Sequence, residues 1–285
     1  MVLFRKIKKS KTFKALSLIL GGILVCIILP VLFKFLLFKP IISLFIKDDT
    51  LVKSITGLLS ITILLLSYKV FYSFFEKRHV TEMSFKNFTK PLFIGWGISF
   101  GLISMLFLIL YLTNHYKVIR VNNFITVIEP LILFVVMGVF EEIIFRGIIF
   151  RITENMLGTF YALLISSLLF SVMHFANSGF SLISGVAIFL HLGLLTGILF
   201  SLTKNIWYPI FLHIGWNFSF VFYGVTLSGG NEFSTFLVGT LTGHKILIGG
   251  TFGPEDSIIT ILLSLIVFGF LLYKKGNNSK ILSKL

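Results

Sequence analysis

The sequence contains one cysteine, Cys26, and few acidic residues among its 285 positions. A single cysteine excludes an intrachain disulfide and any metal site built from several cysteines. Asp and Glu total 11, against 25 Lys and Arg, for a formal net charge of +14. This excess does not indicate a nucleic-acid partner, because the bases lie at the ends of apolar runs and form no reading surface.

Several catalytic and binding motifs are also missing from the sequence. The HExxH signature of soluble zinc proteases is absent, and so is the G-x-S-x-G turn that presents a serine nucleophile. Neither a P-loop nor a G-x-G-x-x-G segment occurs, so we expect no nucleotide partner.

The sequence is rich in long apolar runs. Hydrophobic residues make up 56% of the chain, Phe alone contributes 34 residues, and the mean hydropathy is +1.00. Soluble globular chains are less apolar, so the composition predicts an all-α integral membrane protein formed by a single polytopic domain, 1–285. About eight membrane-spanning helices are expected, at 15–33, 54–74, 92–112, 124–150, 159–176, 181–202, 207–226 and 257–273.

The basic residues predict the orientation of these spans. With the N-terminus in the cytoplasm, the inner segments hold 16 Lys and Arg and the outer segments hold 6. The positive-inside rule therefore predicts that both termini are cytoplasmic. The basic start is followed by an apolar run without an A-x-A-like site, which predicts an uncleaved first span. Abundant Lys, Ile and Phe indicate a bacterial source, so we expect a multi-pass protein of the bacterial plasma membrane.

The fourth run carries ionisable residues at a depth where they are costly. Its segment 138–151 reads GVFEEIIFRGIIFR. Glu142 and Arg146 are four residues apart, so they share a helix face and can pair, whereas Glu141 is rotated about 100° away. Two interpretations are open: a helix-packing ion cluster, or a site in which Glu142 is structural and Glu141 is free for chemistry.

Further polar residues interrupt the later runs. His174 ends the FSVMH segment, and His213 and Asn217 share one helix face in HIGWN. His191 lies in the sixth span, where a lone histidine is more often a packing hydrogen-bonder than a ligand. The residues on spans four, five and seven can converge on one interior cavity, since neighbouring helices pack about 8–10 Å apart.

Such a set of side chains suits hydrolysis. A carboxylate in an apolar cavity can act as a general base on water, and an amide or imidazole can donate to an oxyanion. Two His and one Glu would also suit a catalytic zinc ion. The long Gly- and Ser-rich loop 226–255 is expected to be an ordinary exposed loop, with capping of the cavity as the alternative.

With these residues in place, the chain resembles the CPBP family of intramembrane proteases, the CAAX-protease and bacteriocin-processing (Abi) group. The resemblance rests on EEIIFRG (Glu141 to Gly147), FSVMH (Phe170 to His174) and HIGWN (His213 to Asn217). These correspond to the family's EExxxR, FxxxH and HxxxN motifs, in order and on separate spans, and define a catalytic core at 124–226.

The resemblance implies an endopeptidase of the metallo or glutamate type, acting on membrane-associated proteins or peptides in the lipid bilayer. Glu141 would activate water with help from His174, while His213 and Asn217 would bind the oxyanion. In a Zn²⁺-dependent version, His174 and His213 would be ligands. Supporting roles would fall to Glu142, Arg146 and Phe170.

Two other classes of function are compatible with the sequence. A non-enzymatic membrane regulator or bacteriocin-immunity protein could use the same scaffold. A proton-coupled transporter could use membrane carboxylates and histidines as a relay, but no inverted repeat is evident.

Overall fold

The computed structural model describes residues 2–230 and 233–282, with side chains for 11–230 and 233–277. The basic side chains before residue 11 and after residue 277, which contribute to the predicted orientation, lie outside the described residues. So do Asn231 and Glu232 of the predicted loop 226–255.

The N-terminal half is built from long helices. Helix α1 (Val2–Phe33) continues through a π-helical segment (Lys34–Phe38) into α2 (Lys39–Phe45), and α3 (Asp49–Phe75) and α4 (Thr89–Leu112) follow. The Asp48 carboxylate starts α3 by accepting a hydrogen bond from the Leu51 backbone N–H at 2.9 Å, which satisfies one of the free donors of the first turn.

The following region contains the EEIIFRG segment. Strand β1 (Tyr116–Val121) and a 3₁₀ turn (Phe124–Val127) lead into α5 (Ile128–Glu142), a π-helical segment (Ile143–Phe150) and α6 (Arg151–Leu157). Helix α7 (Thr159–Met173) then ends in a 3₁₀ turn (His174–Ala176).

A further helical run with a π-helical interruption follows. Helix α8 (Leu182–Ile188) passes through the π-helical segment Phe189–Gly193 into α9 (Leu194–Thr203), and α10 (Trp207–Tyr223) runs back. Strand β2 (Leu237–Leu241), short helix α11 (Lys245–Ile248), a 3₁₀ turn (Pro254–Asp256) and α12 (Ile258–Leu282) complete the described chain. The π-helical segments Ile143–Phe150 and Phe189–Gly193 lie next to or in the wall of the cavity described below, and such bulges are frequent at functional sites.

Within the described residues, seven helical runs are long and apolar enough to cross a membrane. They are Lys11–Phe45, Asp49–Phe75, Thr89–Leu112, Phe124–Leu157, Thr159–Ala176, Leu182–Thr203 and Ile258–Asn277. The remaining predicted span, the seventh at 207–226, corresponds to α10, which has only 17 residues and is buried along most of its length. The prediction of an all-α integral membrane protein is confirmed, with α10 as an internal helix of the bundle.

Helix α10 lies at the centre because small residues let its neighbours approach closely. It packs against α4, α5 and α9. A Cβ atom added at Gly95 of α4 would lie 2.6 Å from the backbone oxygen of Tyr208, so only glycine permits this contact. Close packing through small residues is a common way to join membrane helices. It fixes the position of His213 and Asn217 on α10.

The structure also contains a two-stranded antiparallel sheet, which the all-α prediction did not include. Strand β1 pairs with β2, with Tyr116 opposite Leu241 and Val121 opposite Leu237. The Tyr116 hydroxyl donates to the backbone oxygen of Tyr223 at 2.7 Å, which ties the sheet to the end of α10.

Candidate active site

The predicted site residues surround one cavity of about 400 Å³ inside the helical bundle. Glu141 comes from the end of α5, His174 from the turn after α7, and His213 and Asn217 from α10. His174 lies beyond the last residue of α7, yet it lines the same cavity as Glu141. The cavity therefore joins side chains that come from three separate helical runs.

The Glu142 carboxylate forms the buried structural half of the site. Arg146 and Glu142 are both fully buried, and Arg146 Nη1 donates to Glu142 Oε1 at 3.0 Å. The same oxygen lies 2.9 Å from His213 Nδ1. Because a carboxylate only accepts, the Nδ1 atom of His213 carries the proton of this hydrogen bond. Glu142 thus joins the EEIIFRG segment to α10.

The Arg146 side chain also connects to the π-helical segment Phe189–Gly193. Its Nη2 atom donates to the backbone oxygen of Gly193 at 3.1 Å, and its guanidinium lies 4.5 Å from the Phe170 ring centroid. The Phe170 ring contacts His174 and His213 at centroid distances of 4.8 and 5.8 Å. Phe170 therefore separates the two imidazoles and covers the guanidinium.

Glu141 is held very differently from its neighbour. Its side chain is 26% exposed, and its Oε2 atom is buried without a hydrogen-bond partner among the described residues. The Nε2 atom of His213 lies 3.9 Å from this Oε2 atom. This distance is too long for a direct hydrogen bond. The arrangement leaves a carboxylate oxygen free beside the cavity.

The remaining predicted residues line the cavity wall. His174 Nδ1 lies 2.8 Å from the backbone oxygen of Phe170, which can only accept, so Nδ1 carries the proton and Nε2 has the lone pair. Asn217 is 6% exposed and lies one helical turn after His213.

The donor types would suit zinc, because His174 and His213 offer imidazole nitrogens and Glu141 offers an oxygen. The spacing of these side chains does not suit a zinc ion. Among the described residues, no three His, Cys, Asp or Glu side chains are grouped closely enough to hold a metal ion. We therefore derive the chemistry of the site from the side chains alone.

Two residues of the cavity wall were not assigned to the site from sequence. His191 is fully buried, its ring stacks on Trp216 at 4.8 Å, and its Nε2 atom has no partner among the described residues. Glu255 is 2% exposed and accepts hydrogen bonds from Trp216 Nε1 at 2.8 Å and from the Ser228 backbone N–H at 2.7 Å. The scarcity of acidic residues was the one sequence signal that could have drawn attention to Glu255.

Glu255 corrects the prediction for loop 226–255. This loop was expected to be exposed, but residues 227–230 line the cavity, and Glu255 anchors them through Ser228. Gly229 has a φ of +81°, and a Cβ atom there would lie 1.8 Å from the backbone oxygen of Ser178. Residues 227–230 of the loop therefore cover the cavity, as in the alternative prediction.

Together, the seven membrane-length helical runs and the enclosed Glu, His and Asn side chains define a multi-pass membrane protein with a polar site inside its bundle. Residues 123–219 match the Rce1-like family, described as type II CAAX prenyl endopeptidase Rce1-like. The matched segment is similar to the CPBP/CAAX protease family, which supports the resemblance that the three motifs predicted.

The chain is also similar to a curated membrane peptidase. Over 114 residues, 40% of this chain, the sequence is 32% identical to "Putative membrane peptidase YdiL" of Bacillus subtilis (strain 168). The chain spans 42% of the length of that relative. No solved structure matches the chain.

Proposed function

We propose that the protein is an intramembrane endopeptidase that hydrolyses peptide bonds in membrane-associated proteins or peptides. The observation that carries this proposal is the buried, unpartnered Oε2 atom of Glu141 beside a cavity that the imidazoles of His174 and His213 and the amide of Asn217 also line. The family match and the similarity to a membrane peptidase support the same activity.

In the proposed reaction, Glu141 takes a proton from a water molecule while the water oxygen bonds to the carbonyl carbon of the peptide. The lone pair on His174 Nε2 accepts the other hydrogen of that water and orients it. The carbonyl π electrons move to oxygen, and the Asn217 amide donates to the resulting oxyanion. When the carbon–nitrogen bond breaks, Glu141 returns its proton to the leaving amine.

The wild-type protein and a Glu141→Gln variant, both purified in detergent, test this function. Each is incubated with a membrane-protein extract, and new peptide termini are counted by mass spectrometry. We expect termini that appear only with the wild type, because loss of a general base lowers the rate about 10²–10⁴-fold. Glu129→Gln is the matched control, since Glu129 is an exposed carboxylate on the same helix.

Each outcome of this comparison has a defined meaning. Equal sets of termini from wild type and Glu141→Gln, with both proteins folded, contradict the protease and favour a non-enzymatic regulator. A second incubation with a chelator tests the zinc-dependent version, in which His174 and His213 would bind the ion. Cleavage that survives the chelator contradicts that version.

We also propose a location in the bacterial plasma membrane with both termini cytoplasmic, in which the internal helix α10 is the eighth crossing beside the seven membrane-length runs. The excess of Lys and Arg in the inner segments supports this orientation. The chain then places Ser178, beside the cavity, on the outer side and the exposed Lys86 on the inner side. The only native cysteine, Cys26, is buried, so single cysteines can be introduced without background. In intact cells, an impermeant maleimide should label Ser178→Cys and not Lys86→Cys, and the reverse pattern contradicts this orientation.

A further inference from the structure

His191 is a buried side chain, and packing does not explain the position of its polar Nε2 atom. Its Nε2 atom is inaccessible to solvent and has no partner in the described chain, although the residue lines the cavity. An unmade hydrogen bond of a buried polar group costs about 1–3 kcal/mol. Such a group therefore requires an explanation beyond packing.

The backbone determines which nitrogen of His191 carries the proton. The N–H of Leu192 donates to His191 Nδ1 at 2.6 Å, so Nδ1 holds a lone pair. In a neutral imidazole the proton then resides on Nε2, which becomes a donor. The ring stacks on Trp216 with an interplanar angle of 24°, which fixes the direction of that N–H.

The other two imidazoles of the cavity carry their proton on the opposite ring nitrogen. His174 Nδ1 donates to a backbone oxygen, and His213 Nδ1 donates to the Glu142 carboxylate. Their Nε2 atoms therefore present lone pairs when the rings are neutral. His213 can accept a proton or bind a cation through Nε2, but its neutral ring cannot donate from that atom to an oxyanion.

We propose that His191 Nε2–H is a donor to the oxyanion of the tetrahedral intermediate, together with Asn217, and that His213 is an acceptor. The proposal rests on the proposed function. The oxyanion forms when the water oxygen bonds to the carbonyl carbon and the π electrons move to the carbonyl oxygen. It disappears when the double bond re-forms and the carbon–nitrogen bond breaks, so a donor that is already in place stabilises the charge only while it exists.

Three variants test this role on a peptide that the wild type cleaves. His191→Phe keeps an aromatic ring on Trp216 and removes the donor, while His191→Leu removes it with less bulk. We expect both to lower kcat about 100-fold to 1,000-fold with KM within about twofold of the wild-type value. His191→Gln keeps an N–H donor at the end of the side chain and should recover part of kcat. A merely structural role predicts no recovery by Gln and a lower melting temperature for all three variants.

A second measurement does not depend on activity. In protein with ¹⁵N-labelled histidines, nitrogen chemical shifts should show the proton of neutral His191 on Nε2 and the protons of His174 and His213 on Nδ1. A proton on His191 Nδ1 contradicts the proposal, as does a folded His191→Phe protein with kcat equal to that of the wild type.

The failure of this proposal can be told apart from failure of the proposed function. If the wild type cleaves and Glu141→Gln does not, while His191→Phe cleaves normally, only the role of His191 is overturned. If the wild type cleaves nothing in the extract, both are overturned.

Discussion

Two carboxylates of this protein, Glu82 and Glu141, are surrounded in opposite ways. Glu82 lies in the connection between α3 and α4, is 5% exposed, and accepts hydrogen bonds at both oxygens. Its donors are the Tyr68 hydroxyl at 2.5 Å and the Arg78 guanidinium at 2.6 and 2.8 Å. Glu141 keeps one buried oxygen without any donor in the described chain.

The hydrogen-bond partners of a buried carboxylate indicate whether it stabilises the fold or is free to react. Burying a carboxylate is costly unless partners replace its lost hydration. Glu82 has those partners, so its oxygens are occupied and it ties the connection between α3 and α4 to Tyr68 of α3. Glu141 lacks them, and its free lone pair can take a proton from water. Glu142 and Asp256 also have one unpartnered oxygen each, but both are held through their second oxygen. Glu141 accepts no hydrogen bond from the described residues and lines the cavity, which indicates the reactive position.

The largest effect on stability is expected from Arg146→Ala, which breaks the structural half of the site. Removing one partner of a buried ion pair leaves an uncompensated charge and costs about 3–5 kcal/mol. Arg146 is fully buried and bridges Glu142 to the backbone of Gly193. Denaturation in detergent should show a lower free energy of unfolding and a lower folded yield.

The matched control for this variant is Arg120→Ala, because Arg120 is exposed on β1. Its unfolding should differ from the wild type by less than about 0.5 kcal/mol. Equal stability of the Arg146→Ala and Arg120→Ala proteins would show that Arg146 is not a structural partner.

A smaller loss is expected from Glu82→Gln, which removes a charge from the well-paired region. Hydrogen bonds to charged groups contribute about 1.5–3 kcal/mol, so the variant should lose up to that amount at neutral pH. Thermal unfolding at pH 7 measures this loss, and an unchanged melting temperature contradicts a structural role for Glu82.

The same carboxylate predicts the pH dependence of stability. Burial raises the pKa of Glu82, but hydrogen bonds from Arg78 and Tyr68 outweigh this, so its pKa lies below its ordinary value of 4.5. A depressed folded-state pKa contributes stability above the unfolded pKa, and this stability is lost as pH falls through the folded pKa. Below pH 4.5 the difference in stability between wild type and Glu82→Gln should therefore shrink. A difference that stays constant to lower pH contradicts the assignment.

Sequence reasoning worked best where the relevant contacts are local. The four-residue spacing of Glu142 and Arg146 predicted their proximity, because helix geometry alone sets it. The motifs also predicted that residues of three spans would meet in a cavity. Sequence did not indicate that His213 bonds to Glu142, since the two residues are 71 positions apart.

The parts that sequence missed depend on distant contacts. Glu255 meets Ser228 across 27 positions and Trp216 across 39, so its burial is invisible to a local pattern. Strands β1 and β2 are short, and each is completed only by pairing with the other. His191 was expected to be a packing residue, which accounts for its ring on Trp216 but not for its unpartnered Nε2 atom.

The most direct test of the account compares Glu141→Gln with Glu82→Gln for both stability and cleavage. The account predicts that Glu141→Gln unfolds at or above the wild-type temperature and cleaves at least about 100-fold more slowly. It predicts that Glu82→Gln is less stable but, where folded, cleaves at the wild-type rate. A Glu141→Gln protein that unfolds early, or one that is folded and still cleaves, contradicts the distinction between paired and unpaired carboxylates.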